Sequence, residues 1–243
     1  MKSFIYSLIT RLASIQHTVY LPQKSGEYFV KNKPRYISQF IGIYPQSLTL
    51  ESRLDNKQHS AEFGAKDADE FSFWAWRNCG IACVKMILEV RGKANDRSIM
   101  DLTREGIELG GYILYEGNTF VDKGWFHHSL VSLLKKYGVM AQTRKWQTIE
   151  SVATDILNDK LVILSVSVPG RRSIAEDGSF RLKAGGTVTG HLLLATGVRM
   201  VKKHVVGIVV HDPRGLENYQ QDTFIPAPVF KKIFTNRTIV VEK

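Results

Sequence analysis

The chain has 243 residues, 44% of them hydrophobic and 10% aromatic, enough to bury one substantial core without requiring a second. Its formal net charge of +10 suits an acidic partner, but the Lys and Arg residues are spread along the sequence rather than gathered in a block. That distribution describes a solvated basic surface and argues against a specific nucleic-acid reader.

Met1 to Ile15 reads as a short amphipathic helix. Arg11 interrupts its apolar run and no small-residue cleavage site follows, so it is not a signal peptide. No stretch approaches the roughly 18 apolar residues that span a bilayer, and the chain reads as soluble and cytoplasmic. Residues 17 to 70 are polar, with one strand-like piece at Tyr36 to Tyr44. The expected organisation is an N-terminal extension over 1–65, packed on the core, and a main domain over 66–243.

From Asp67 the composition turns aromatic, and a helix is predicted from Cys79 to Arg91, closed by Gly92. Ile81, Ala82, Val84, Met86, Ile87, Leu88 and Val90 make it apolar nearly all round, the pattern of a helix inside a fold. Cys79 and Cys83, the two cysteines of the chain, lie four apart on this helix. A helix fixes their side-chain directions and disfavours a disulfide between them, which fits a reducing compartment.

Further helices are predicted at Asp96 to Leu109, Phe126 to Tyr137 and Thr148 to Leu157. Leu161 to Val168 is a β-branched strand stopped by Pro169-Gly170. Residues 171 to 187 read as a long loop, with Gly185-Gly186 as a mobile gate. Two strands follow, His191 to Val198 and His204 to Asp212, then a helix near Pro228 to Phe234 and a strand from Thr238 to Glu242. Helices first and antiparallel strands later make the class α+β.

A hairpin centred on Val201 and Lys202 would set His191 directly opposite Asp212. Directly opposed residues share a face with Cβ atoms about 4.5 to 5.5 Å apart, within reach of an imidazole to carboxylate hydrogen bond. A one-residue slip would separate them and favour His211 instead. Cys79, at the first turn of its helix, is where the helix end lowers a thiol's pKa. A nucleophile, a base and an orienting carboxylate are thereby available: Cys79, His191 and Asp212. Each has a blander use. Cys79 could be a small buried hydrophobe, His191 a core residue, and Asp212-Pro213-Arg214-Gly215 a turn.

Asn78-Cys79-Gly80-x-Ala82-Cys83-x-x-Met86, with Gly190-His191 and Val210-His211-Asp212-Pro213 downstream, resembles the signature of the bacteriocin-processing, double-glycine leader peptidases and their stand-alone relatives. These are papain-like cysteine peptidases. The resemblance covers about residues 70 to 243. It implies a papain-like fold, with a helical lobe packed on an antiparallel sheet, a peptide or peptide-like substrate, and Cys79, His191 and Asp212 as nucleophile, base and orienter. The family usually has a glutamine six residues before the nucleophile, donating into the oxyanion hole, whereas Phe73 stands there in this chain, flanked by Ser72 and Trp74. Tyr36-Ile37-Ser38-Gln39 looks like the glutamine-bearing segment displaced by an insertion, making Gln39 the candidate donor beside the Cys79 backbone N–H.

Trp74 and Gly190 are candidates for the substrate cleft, and Trp76 is assigned to core packing. No cofactor is expected. His127 and His128, adjacent and about 100° apart on a helix, suit no single metal ion. Two alternatives stay open beside a peptidase. One is an acyltransferase using the same thiol, and the other a papain-like peptide-binding module without catalysis.

Overall fold

The computed structural model describes residues 2–42, 53–54, 57–169, 172–174, 180–182, 188–215 and 219–243. In chain order the elements are α1 (Lys2–Val19), β1 (Gly26–Phe29), α2 (Lys57–Phe63), α3 (Ala68–Ala75), α4 (Cys79–Val90), α5 (Ile99–Glu108), β2 (Tyr115–Glu116) and β3 (Thr119–Phe120). Then follow α6 (His127–Lys136), β4 (Ala141–Lys145), α7 (Ile149–Leu157), β5 (Leu161–Pro169), β6 (Arg172–Ile174), β7 (Phe180–Leu182), β8 (Val188–Val201), β9 (His204–His211), β10 (Thr223–Pro226), α8 (Ala227–Ile233) and β11 (Phe234–Val241).

Local chemistry explains several helix boundaries. Asp67 caps α3 by accepting from the Glu70 N–H, and reciprocal capping boxes start α5 at Ser98 with Asp101 and α7 at Thr148 with Ser151. Gly92 at φ 64° ends α4 by taking the left-handed turn that bulkier residues resist. The helix α4, like α6 and α8, starts without a side-chain cap: Asn78 instead donates its amide to the Thr103 hydroxyl at 2.8 Å. The first N–H groups of α4 are thus left without a side-chain acceptor.

The main sheet runs β10-β9-β8-β5-β11-β4, antiparallel at every pairing, and β1 continues the β5 edge of β8 where β5 has ended. Consecutive residues Leu192 to Val198 are buried, so both faces of β8 are covered. Helix α4 packs on β8, with α5 and α6 packed against α4, while α7 and α8 pack on β5 and β9 and α1 packs on α7. This is the α+β arrangement of the papain-like fold, with the Cys79 helix on the sheet.

Besides β1, α2, β2, β3 and β10, which the sequence pattern does not predict, five features depart from expectation. Residues 36–42 form no strand; Gln39 N–H donates to the Pro213 carbonyl at 3.0 Å, so the backbone serves a turn rather than a ladder. The expected strand's last two residues, 43 and 44, lie outside the described residues. Within the expected loop 171–187, β6 and β7 form a two-stranded hairpin, and the gate at Gly185-Gly186 lies outside the described residues. β4 was missed because its sequence, AQTRK, has no apolar alternation, and an edge strand needs little. α3 was read only as an aromatic stretch, although its Asp67 and Glu70 carry a capping signature.

The hairpin register is the fifth. Val201 pairs His204 around a two-residue loop, with Lys202 at φ 52°, so the turn sits one residue later than expected. Bulges follow where Val206 is extra on β9 and Thr196 is extra on β8. One bulge alone would turn every later side chain to the other face; the second restores the alternation. Leu194 therefore pairs His211, and Asp212 lies diagonally across from His191 rather than directly opposite.

Candidate active site

Asp212 is fixed by its own turn. Gly215 N–H donates to the Asp212 carbonyl at 2.9 Å, closing the Asp-Pro-Arg-Gly turn, and Arg214 N–H donates to Asp212 Oδ1 at 2.9 Å. The N-terminal segment clasps this turn: the Tyr36 hydroxyl donates to the Asp212 carbonyl at 3.0 Å, beside the Gln39 bond to Pro213. Nothing in residues 17 to 70 announced that role except the Tyr-x-Ser-Gln spacing.

The diagonal placement still closes the pair. His191 Nε2 lies 2.6 Å from Asp212 Oδ1, both side chains being buried. Nδ1 is then the ring nitrogen that Asp212 leaves open, and the His191 side chain is the leading influence that lowers the Cys79 thiol. His211 lies elsewhere: its Nε2 is bound to the Pro34 carbonyl at 3.0 Å and its Nδ1 accepts the Asp222 N–H at 3.2 Å.

Cys79 sits partly exposed at the start of α4. Burial pushes its thiol pKa up, but the hydrogen bond and charge of His191, the Leu192 N–H and the Arg214 guanidinium outweigh it and hold the thiol below its ordinary range. Burial pulls His191 down, and the Asp212 carboxylate with Cys79 more than reverses this, leaving it above the usual imidazole value. Cys83, one turn on, is pushed well up, by burial first and then by Cys79 and Asp212, and its Sγ lies 3.8 Å from the Leu192 carbonyl. The two sulfurs thus flank one residue of β8, Leu192, Cys79 toward its N–H and Cys83 toward its carbonyl. The cysteines are free thiols, as the helix spacing required.

The close approach of α4 to β8 depends on Gly80. A Cβ there would lie 3.0 Å from Leu192, 3.1 Å from Leu130 and 3.3 Å from Trp125. A side chain there would require Leu192, Leu130 and Trp125 to give way by a few tenths of an ångström.

A cleft of about 960 Å³ opens onto Cys79 and His191, walled by Trp76, Trp125, Gly190 and Arg214 among others. Trp76, assigned to the core, lines this cleft, with the Arg214 guanidinium 5.2 Å from its ring centroid. Trp74, assigned to the cleft, is 7% exposed and packs on Phe73, Tyr112 and Trp125. Both placements follow from α3: Trp74 lies on its inward side with Phe71, and Trp76, the cap residue where the chain leaves the helix, packs edge-on against buried Phe40 and also reaches the cleft.

Gly190 does line the cleft, and a Cβ there would meet nothing within 4 Å. Gln39, the candidate oxyanion donor, is fully buried, and its Nε2 donates to the Ala75 carbonyl at 2.6 Å. It ties the end of α3 to the Asp212 turn and is not part of the cleft wall. His127 and His128 border the cleft; burial first, then Arg237, pulls the His127 pKa down. Among the described residues no cluster of three His, Cys, Asp or Glu could hold a metal ion.

The model of the Peptidase_C39 like family matches residues 57–238. This chain belongs to that family. The family match leaves out the first 56 residues, Gln39 included. Among solved structures, a crystal structure from Bacillus anthracis described as a C39-like peptidase is similar over 88% of this chain and 97% of its own, with a TM-score of 0.52 at 16% identity. At that identity the likeness is one of fold. No curated protein matches the chain. Among the described residues of this family member no helix is long and apolar enough to cross a membrane.

Proposed function

We propose that this C39-like family member is a cysteine peptidase acting on a peptide or peptide-like substrate, with Cys79 as nucleophile, His191 as acid and base, and Asp212 as orienter. The carrying observation is the 2.6 Å contact of His191 Nε2 with Asp212 beside a Cys79 thiol held below its ordinary pKa. The thiolate attacks the substrate carbonyl carbon, and the negative charge moves to the carbonyl oxygen. As the carbon–nitrogen bond breaks, His191 Nδ1–H protonates the departing amine, leaving a thioester. His191, now neutral, takes a proton from water, whose oxygen attacks the thioester. The carbon–sulfur bond then breaks, releasing the carboxylic acid and leaving the Cys79 thiolate beside the protonated His191.

The uncapped start of α4 supports the same reading, because the Cys79 N–H has no intrahelical acceptor and is available to an oxyanion. Gln39, the expected second donor, is buried behind the cleft wall, and serving an oxyanion would require its Nε2 to turn from the Ala75 carbonyl. Transfer of the acyl group to an amine would proceed through the same thioester, and the products distinguish it from hydrolysis.

The test is intact-protein mass spectrometry after brief exposure to an epoxide inhibitor of the E-64 type. Wild type should gain one adduct that Cys79→Ala and His191→Ala both lose. No adduct on wild type, with Cys79 as sluggish as Cys83 toward iodoacetamide, would make the chain a binding module.

A second expectation concerns Gly190. Because a Cβ there meets open cleft, Gly190→Val should leave stability within about 0.5 kcal/mol of wild type or slightly better, glycine being a poor strand residue. The two added methyl groups would narrow the substrate channel, and adduct formation should slow by about tenfold or more. Thermal unfolding alongside the inhibitor rate reads both, and an unchanged rate would remove Gly190 from the cleft floor.

A further inference from the structure

The cleft is lopsided in charge. Arg77, Lys123, Arg144, Lys145, Arg214 and Arg237 line it against one carboxylate, Asp122, among the described residues. Four of the six are engaged. Arg77 pairs with Asp122 at 2.9 Å, Lys123 with Glu116, Arg144 with Asp155 at 3.1 Å, and Arg214 stacks on Trp76 next to Cys79. Lys145 and Arg237 are different: both are exposed to the cleft, and neither has a carboxylate within 4.0 Å among the described residues.

These two are also direct cross-strand partners, Arg237 on β11 opposite Lys145 on β4. Like charges directly opposed on a sheet repel and destabilise the pairing, an arrangement that an anion between them would reverse. His127 borders the same space, close enough to feel the Arg237 charge.

The register gives their distance from the chemistry. Leu192 pairs Ser165, Ser165 pairs Arg237, and Arg237 pairs Lys145, so the four form one row across β8, β5, β11 and β4. Leu192 is the residue whose N–H meets the Cys79 sulfur. With strands about 4.8 Å apart, Arg237 lies about 10 Å and Lys145 about 14 Å along that row. An extended peptide advances about 3.3 Å per residue, so the distance corresponds to about three or four residues.

We propose that Lys145 and Arg237 form a subsite for a carboxylate side chain, so that the cleft takes acidic peptides whose Asp or Glu lies three or four residues from the bond presented to Cys79. The proposal rests on Cys79 as the reacting residue for its spacing, while the anion subsite itself stands on the charge pair. The intermediate ground, Ser165 and Thr235, is polar and uncharged, and accommodates backbone or small side chains. The overall charge of +10 draws an acidic peptide toward the surface, and the subsite gives it a register.

Binding can be read without turnover. Isothermal titration of the Cys79→Ala protein would use an end-blocked, alanine-rich octapeptide carrying two adjacent glutamates, and the same peptide with glutamines. The glutamate peptide should bind at least tenfold more tightly. Lys145→Gln with Arg237→Gln should abolish that preference and, by removing the repulsion, unfold at the same or a higher temperature. Lys231→Gln with Lys232→Gln removes as much charge from the exposed side of α8, outside the cleft, and should keep the preference. Equal binding of the two peptides, no detectable binding of the glutamate peptide at millimolar concentration, or an equal loss in both double variants would overturn the subsite. Failure of the epoxide test leaves this result standing, since no step of it uses the thiol.

Discussion

Cys79 should react with iodoacetamide at pH 6 on the order of ten- to a hundredfold faster than in His191→Ala, and Cys83 should stay inert in both. The sign follows from the causes. Burial alone raises the Cys79 thiol, and the largest opposing influence is the hydrogen bond from His191, followed by its charge. Removing the imidazole leaves the burial in place and lifts the thiol above its ordinary value, so the thiolate fraction falls by more than a solvent-exposed cysteine would show. The gain is smaller than the change in thiolate fraction because a thiolate of lower pKa is intrinsically less nucleophilic.

The pH profile should carry two limbs. The thiolate appears as pH rises past the lowered thiol value, and the imidazolium disappears as pH rises past the raised histidine value. Reactivity that needs both should rise below the free-thiol range and fall above the ordinary histidine range, with the two apparent values belonging to the coupled pair. In Asp212→Asn the alkaline limb should move down, because the carboxylate is the leading influence that raises His191. A profile in which Cys79 titrates like a free thiol and ignores both substitutions would sink the ion pair.

Trp125→Ala should cost about 3–5 kcal/mol of stability, the usual range for truncating a buried aromatic. The ring is 9% exposed, and its Nε1 donates to the Arg77 carbonyl at 3.0 Å. Tyr112 meets it edge-on at 5.1 Å, and three glycines crowd it: a Cβ on Gly80, Gly106 or Gly111 would come within 3.3, 2.7 or 2.9 Å of the ring. The indole is therefore the wedge between α4, α5 and the start of α6, and its loss leaves a cavity and takes one donor from the Arg77 carbonyl just before Cys79. Denaturant unfolding reads the cost, and a change under about 1 kcal/mol would mean the three glycines are close to Trp125 without depending on it. Cys79 alkylation should slow in the same variant, since the helix start would no longer be pressed onto Leu192.

By itself the sequence determined the class and the Cys79 helix, and it singled out Cys79, His191 and Asp212 as candidates, because these are carried by short-range signals: an all-apolar helix behind a cysteine, a closing Gly92, and two strands with a turn between them. Helix ends were legible for the same reason, since Ser98 with Asp101 and Thr148 with Ser151 act over three residues. What lay beyond was decided by contacts between distant segments. The hairpin register depended on two compensating bulges that no local pattern marks, and they turned a direct pairing of His191 with Asp212 into a diagonal one that still closes. Trp74 is buried away from the cleft, while Trp76, two residues on, packs on Phe40 and also reaches the cleft, because only the packed position of α3 says which points inward. The clasp of Tyr36 and Gln39 on the Asp212 turn joins residues more than 170 apart, and the confrontation of Lys145 with Arg237 exists only once β4 and β11 pair. A sequence states which groups are available; their distances, and so their charge balance and pKa values, belong to the fold.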